Sequence, residues 1–197
     1  MWVRVFDDTE RSLEGGGRGF EIRPKGRDLH VLRLWGPMPR RWAEGVCSGL
    51  ARARMTIESG VAIREGPELW SASFHISSGK AIRDPLSLDL LSLALHPPTP
   101  ADWIPLRIEG FTLADDPERA ALRVDLFGPD QHGFLGGLLQ RLGFLGLVPV
   151  EMVIETGSEG LYDVLHLQTT EGTSPSGVHR RAVAKLLEGC VLAPRQG

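Results

Sequence analysis

The sequence predicts an α+β protein built from two similar units, each an antiparallel sheet with two helices on one face. Two observations predict it. First, residues 34–50 match residues 126–142 at five of 17 positions, at an offset of 92. Second, the second copy shows the element order βαββαβ. An offset of 92 residues has the length of a small domain and exceeds the period of a solenoid, so we interpret the repeat as a duplication.

The elements of the second copy follow from the spacing of its apolar residues. Apolar side chains alternate along residues 122–127, as in a half-buried strand, and recur at helical intervals along residues 134–145. The remaining elements are two strands at 148–156 and 161–169 joined by a hairpin turn, a helix near 178–187 and a short closing strand at 190–192. These elements complete one βαββαβ unit.

The first copy follows the same order less clearly. We predict strands at 29–34, 55–64, 69–76 and 105–113, with helices at 41–53 and 86–95. The predicted organisation is an N-terminal extension (1–27), a degenerate first domain (28–113), a linker (114–120) and a second domain (121–197). Residues 1–27 are expected to form an extra strand and turn, without a predicted place in the fold.

Charge and composition exclude several classes of protein. The formal net charge is −3, and neither half of the chain has the dense basic surface that binding to nucleic acid requires. No stretch is apolar enough to predict a signal peptide or a membrane span. Two cysteines, Cys47 and Cys190, lie in apolar stretches and are expected to be buried free thiols. We therefore expect a soluble, cytoplasmic protein that binds neither nucleic acid nor membranes.

The segment from residue 122 to 169 resembles the ACT domain family. The residues that carry the resemblance are the hydrophobic strand, the turn Pro129-Asp130-x-x-Gly133-Phe134-Leu135, leucines at 138, 142 and 147, and the hairpin after them. The pattern is most similar to the tandem ACT pairs of bacterial uridylyltransferases and of glycine-cleavage repressor-like proteins. His132 stands where the family usually has proline. The resemblance implies ferredoxin-like domains, paired side by side into an eight-stranded sheet, and amino-acid sensing.

The turn before the first helix of the second copy is the candidate ligand-binding site. The first N–H groups of a helix lack partners and favour an anion, so the N–H groups of Gly133, Phe134 and Leu135 can hold the carboxylate of an amino acid. Asp130 can then bind the ammonium group. The alternative is that Asp130 only caps the helix. In the first copy Met38 and Arg41 replace Asp130 and Gly133, which predicts that this copy has lost the site.

No motif predicts catalysis, a metal or another cofactor. The spacing Gly128-x4-Gly133 is that of a phosphate-binding loop, but Phe134-Leu135 replaces the Lys-Ser/Thr that would reach phosphate and metal. The six histidines show no paired ligand spacing. Nothing in the sequence links Cys47 to a histidine as a nucleophilic pair. We therefore expect no cofactor and no enzymatic activity.

Together these observations predict an allosteric, amino-acid-binding regulatory protein. The ligand is expected between the turn of the second copy and a neighbouring strand. That strand is either residues 55–64 of the same chain or its equivalent in a homodimer. The alternative hypothesis is a ligand-free module for assembly with a regulated protein partner, which the degenerate first copy favours.

Overall fold

The computed structural model describes residues 17–96 and 104–192. Its strands are β1 (Gly19–Pro24), β2 (Leu29–Pro37), β3 (Thr56–Arg64), β4 (Leu69–Ser77), β5 (Gly110–Asp116), β6 (Ala121–Gly128), β7 (Leu147–Gly157) and β8 (Gly160–Thr169). Its helices are α1 (Trp42–Arg52), α2 (Leu90–Leu95), α3 (Phe134–Phe144) and α4 (Gly177–Glu188). Predictions for residues 1–16, 97–103 and 193–197 lie outside the described residues.

All eight strands form one antiparallel sheet in the order β1-β2-β4-β3-β7-β8-β6-β5. The two halves of the chain meet where β3 pairs with β7, with Val61 opposite Val153 at the centre of the pairing. Buried side chains of all four helices and of one face of the sheet share a single hydrophobic cluster. The structure therefore has the predicted α+β character, with four helices on an eight-stranded antiparallel sheet.

The order of elements within each half differs from the predicted βαββαβ. Each half runs ββαββα, because β1 and β5 form hairpins with the strands that follow them. We predicted residues 105–113 as the last strand of the first unit, but β5 pairs with β6 of the second half, from Gly110 opposite Phe127 onward. Only residues 117–120 separate the two strands, and a hairpin this short closes a smaller loop than a long-range return would.

Two predicted elements are smaller in the structure. The helix predicted at 86–95 is a short 3-10 turn at Pro85–Ser87 followed by α2, because the Asp89 carboxylate accepts a hydrogen bond from the Ser92 N–H at 2.9 Å and begins a new helix there. The closing strand predicted at 190–192 is reduced to one parallel bridge between Ile108 and Val191. β5 already occupies the place beside β6.

Helices α1 and α3 pack closely across the junction of the two halves. A Cβ added at Gly136 would lie 2.8 Å from the Ser48 Oγ and 3.0 Å from the Ser48 backbone nitrogen. Glycine in a helix interior costs about 1 kcal/mol relative to alanine, and this close packing against Ser48 accounts for Gly136 at that position. The contact places the start of α3 against the end of α1.

The opposite face of the sheet also ties the halves together. The Arg64 guanidinium donates to the Gln168 side-chain oxygen, and the Gln168 amide donates to the Arg119 carbonyl at 2.7 Å. His166 lies on the same strand face, with its Nδ1 2.8 Å from an Asp116 carboxylate oxygen, and burial lowers its pKa.

Within the described ranges no helix is long and apolar enough to cross a membrane.

Candidate functional site

The turn between β6 and α3 is anchored on both sides. Gly133 precedes the helix with a φ of 78°, a left-handed conformation that favours glycine. The His132 Nε2–H donates to the Ala51 carbonyl at 2.7 Å, which ties the turn to the end of α1. The Phe134 N–H donates to the Gln131 carbonyl at 2.9 Å. These bonds hold the start of α3 in place between the two halves.

A cavity of about 50 Å³ opens at this turn. Residues from both halves line it: Asp130–Gly136 from the turn and α3; Cys47, Leu50 and Ala51 from α1; Met55, Thr56 and Ile57 at the start of β3; and Ile154, Thr156, Leu161 and Asp163 from β7 and β8. About 10–15 Å³ of such space holds one water molecule, so the cavity has room for several waters or for part of a small molecule.

All four residues predicted to bind ligand line this cavity. Asp130 is exposed at its mouth, Gly133 is half-buried, and Phe134 and Leu135 are buried. Two details differ from the prediction. The Phe134 N–H already has an acceptor, so it is not available to a carboxylate. Gly133 is the N-cap residue of α3 and no side chain caps the helix, so the alternative of Asp130 as the cap is wrong.

Asp163 is a functional candidate that the sequence interpretation missed. Its side chain is 2% exposed, and its Oδ1 has no hydrogen-bond partner among the described residues. Burial raises the pKa of this carboxyl to about 7; the charges of Asp130 and Glu155 act in the same direction, and a backbone hydrogen bond from Glu155 opposes them. An unpaired buried carboxylate is costly, so this group calls for an explanation.

The sequence of β8 contains a signal that could have identified Asp163 as a candidate functional residue. Leu161, Asp163, Leu165 and Leu167 share the buried face of this strand, which faces the helices. An aspartate in the register of three leucines is anomalous in a half-buried strand. Its significance needs the cavity as well, because a buried aspartate can also be satisfied by local hydrogen bonds.

Cys47 lies in the wall of the same cavity as a free thiol. Burial, and then the nearby Asp163 carboxylate, raise the pKa of the Cys47 thiol to about 12. The thiolate is the nucleophilic form of cysteine, and near neutral pH this thiol is protonated. Cys190, predicted to be buried, is also free but only half-buried. In the part of the chain that the structure describes, no three His, Cys, Asp or Glu residues are grouped to hold a metal ion.

The first half packs aromatic rings where the second half has the cavity. By the offset of the repeat, Trp42 is the counterpart of Phe134. Trp70 is the counterpart of Leu161, since Trp70 lies opposite Gly36 of β2 and Leu161 lies opposite Gly128 of β6. The two indole rings meet edge to face, with centroids 5.3 Å apart, and both are buried. Their bulk occupies this region of the first half.

The first half also lacks the two carboxylates. Ala72 lies opposite Leu34, as Asp163 lies opposite Leu126, so Ala72 is the counterpart of Asp163. By the offset of the repeat, Met38 is the counterpart of Asp130, and Met38 is buried. Arg41, the counterpart of Gly133, pairs with the Glu44 carboxylate at 2.7 Å. The arrangement agrees with a ligand site at the turn of the second half and not at the turn of the first.

Comparisons with known proteins bear on the fold alone. No protein-family model matches the sequence, and no curated protein matches it. Among solved structures, an aspartate kinase from Synechocystis is similar, with a TM-score of 0.50 and 14% identity over 83% of this chain. The matched region is 27% of the kinase chain, so this chain spans about a quarter of the kinase's length. The similarity is consistent with the ACT-type fold that the sequence resemblance implies.

Proposed function

We propose that the chain is a regulatory protein that binds an amino acid in the cavity between its two halves and catalyses no reaction itself. The observation that carries this proposal is the composition of the cavity wall. The turn and first residues of α3 come from the second half, whereas Met55, Thr56 and Ile57 come from the first half. A ligand bound there contacts both halves at once.

The groups in the cavity suit the parts of an amino acid. The uncapped first turn of α3 offers the N–H groups of Gly133 and Leu135 to a carboxylate, at the positive end of the helix dipole. Carboxylates at the mouth and in the depth of the cavity suit an ammonium group. Apolar residues, with the buried Phe134 ring among them, leave room for a small side chain. Gly133 and Leu135 contribute N–H groups to the proposed site and Phe134 contributes its ring, while Asp130 lines the mouth of the cavity.

Binding regulates the protein if its two halves can adopt two relative arrangements and the ligand binds one of them more tightly than the other. A ligand shifts a conformational equilibrium only by its differential affinity for the states. The cavity lies beside the α1–α3 contact and near the β3–β7 pairing, where the halves meet. The solved neighbour with this fold is named for its action on an amino acid, aspartate, which supports the proposed ligand class only by analogy of fold.

A thermal-shift panel of the common amino acids tests the proposal on the full chain. A ligand at about 100 times its Kd adds about 2.7 kcal/mol to the free energy of unfolding, which raises the melting temperature of a chain of this size by about 5–10 °C. We expect a few small amino acids to give this shift. A flat panel at millimolar concentrations would contradict ligand binding and favour the assembly module.

A pair of tryptophan variants controls for binding elsewhere on the surface. Leu161→Trp places in the second half the residue type that the first half has at Trp70, and we expect it to fill the cavity and remove the shift. Tyr162→Trp introduces the same side chain one position along β8, where the residue is 44% exposed and faces the other side of the sheet. This variant should keep the shift of the wild-type protein.

A further inference from the structure

Two carboxylates face the cavity at very different depths. Asp130 is exposed at the mouth, where water and salt screen its charge. Asp163 is 2% exposed, and its Oδ1 has no hydrogen-bond partner among the described residues. A charge interaction is several times stronger in a buried site than in water, so the deep carboxylate is the better partner for a cation.

We propose that Asp163, and not the exposed Asp130, binds the ammonium group of the ligand in this cavity. The inference deepens the proposed function and rests on it. It defines the ligand class as small molecules that carry a protonated primary amine, so the corresponding acids without the amine are excluded. It also explains a buried polar atom that the fold leaves unpaired, since the ammonium N–H groups supply the missing donors.

The groups around Asp163 favour a cation. The charges that raise its pKa are two other carboxylates, Asp130 in the turn and Glu155 on β7. From α1, Cys47 contributes a protonated thiol. His132, on the turn, also lines the cavity, but its Nε2–H is already donated to the Ala51 carbonyl. The field inside the cavity is therefore set mainly by acidic side chains.

Binding of an ammonium group to Asp163 must be coupled to proton release. In the unliganded protein this carboxyl has a pKa of about 7, whereas beside a bound cation the ionised form is favoured and the pKa falls. At pH 8 the carboxyl is already ionised, but at pH 6 binding has to displace its proton. We therefore expect the affinity at pH 6 to be about tenfold lower than at pH 8.

Calorimetric titration at both pH values tests the assignment. Each amino acid that gives a shift in the panel is titrated beside its deaminated acid, for example L-alanine beside propionate and L-aspartate beside succinate. Losing a charge-assisted hydrogen bond weakens binding by about ten- to a hundredfold. We expect this loss at pH 8 in Asp163→Asn, together with the loss of the pH dependence, and we expect no binding of the deaminated acids.

Two further variants make the outcome specific. Asp130→Asn should change the affinity by less than about threefold, because its charge is screened. Asp125→Asn, on the opposite face of the sheet, should leave the affinity unchanged. Asp163→Asn binding within threefold of wild type, or a large loss in Asp130→Asn instead, would overturn the assignment but leave amino-acid binding in place. A panel with no shift in the wild-type protein would overturn the proposed function itself.

Discussion

At pH 8 and without ligand, the Asp163→Asn variant is expected to be more stable than the wild-type protein. Burial raises the pKa of the Asp163 carboxyl from its ordinary value of 3.8 to about 7 in the folded state. The unfolded chain therefore releases its proton at a lower pH than the folded chain. As the pH rises from the lower to the higher of these pKa values, the wild-type protein loses about 1.4 kcal/mol of unfolding free energy per pH unit, on the order of 4 kcal/mol in all.

Urea unfolding of both proteins at intervals from pH 4 to pH 8 measures this effect. The difference in unfolding free energy between them isolates Asp163, because other titrating groups such as the buried His166 are common to both. The difference should shift in favour of the variant as the pH rises from 4 to 7 and then level off. Parallel pH profiles would mean that the Asp163 carboxyl is already ionised in the fold at low pH, with partners of its own.

Trp42→Ala is the second change with a large expected effect. Trp42 is 1% exposed and packs edge to face on Trp70, in the region of the first half that corresponds to the cavity. Removing a buried tryptophan side chain costs about 3–5 kcal/mol, because the lost apolar burial is joined by the cost of the void that remains. Chemical denaturation of the variant measures the loss as a lower midpoint.

Trp42→Phe separates packing from hydrogen bonding at this position. The Trp42 Nε1 has no hydrogen-bond partner among the described residues, so the change to phenylalanine removes no bond and mainly reduces the volume of the side chain. We expect a cost well below that of the alanine variant, because the phenyl ring still fills most of the space. A phenylalanine variant as unstable as the alanine variant would show that the indole N–H has a partner on which the fold depends.

The features that could be predicted from the sequence are those recorded in local patterns. The alternation along β6, the helical spacing along α3 and the hairpin of β7 and β8 each occupy a short window, and the structure reproduces them within one or two residues. The patterns of the first half are weaker, and its elements were predicted by relating it to the second half through the 92-residue repeat. The turn from Asp130 to Leu135 is also a short local pattern, and the residues predicted there to bind ligand line the cavity.

The partners of the edge strands could not be predicted in the same way. Residues 110–113 have the apolar pattern of a strand, but the pattern does not say which sheet edge the strand joins. The prediction assigned them to the first half because a βαββαβ unit needs a closing strand there. The short turn at 117–120 makes β6 the nearer partner, and β1 fills the corresponding edge of the first half.

The depth of the site also depends on residues far apart in the sequence. Asp163 lines the cavity beside Cys47 on α1 and Met55 at the start of β3, both more than 100 residues earlier in the chain. Its own strand shows only an acidic residue in an apolar register. Asp130 was the more obvious ammonium partner because it stands in the turn itself, and only the fold shows that its side chain is exposed.

A crystal structure of the protein with an amino acid that gives a shift in the panel shows whether the ligand lies in the cavity with its ammonium group on Asp163. We predict one amino acid per chain, in the cavity at the start of α3. Its ammonium group should lie within about 3 Å of an Asp163 carboxylate oxygen, and its carboxylate should face the first turn of the helix. Electron density for the amino acid near Arg41 in the first half, or an empty cavity with the ligand elsewhere, would contradict amino-acid binding at the start of α3.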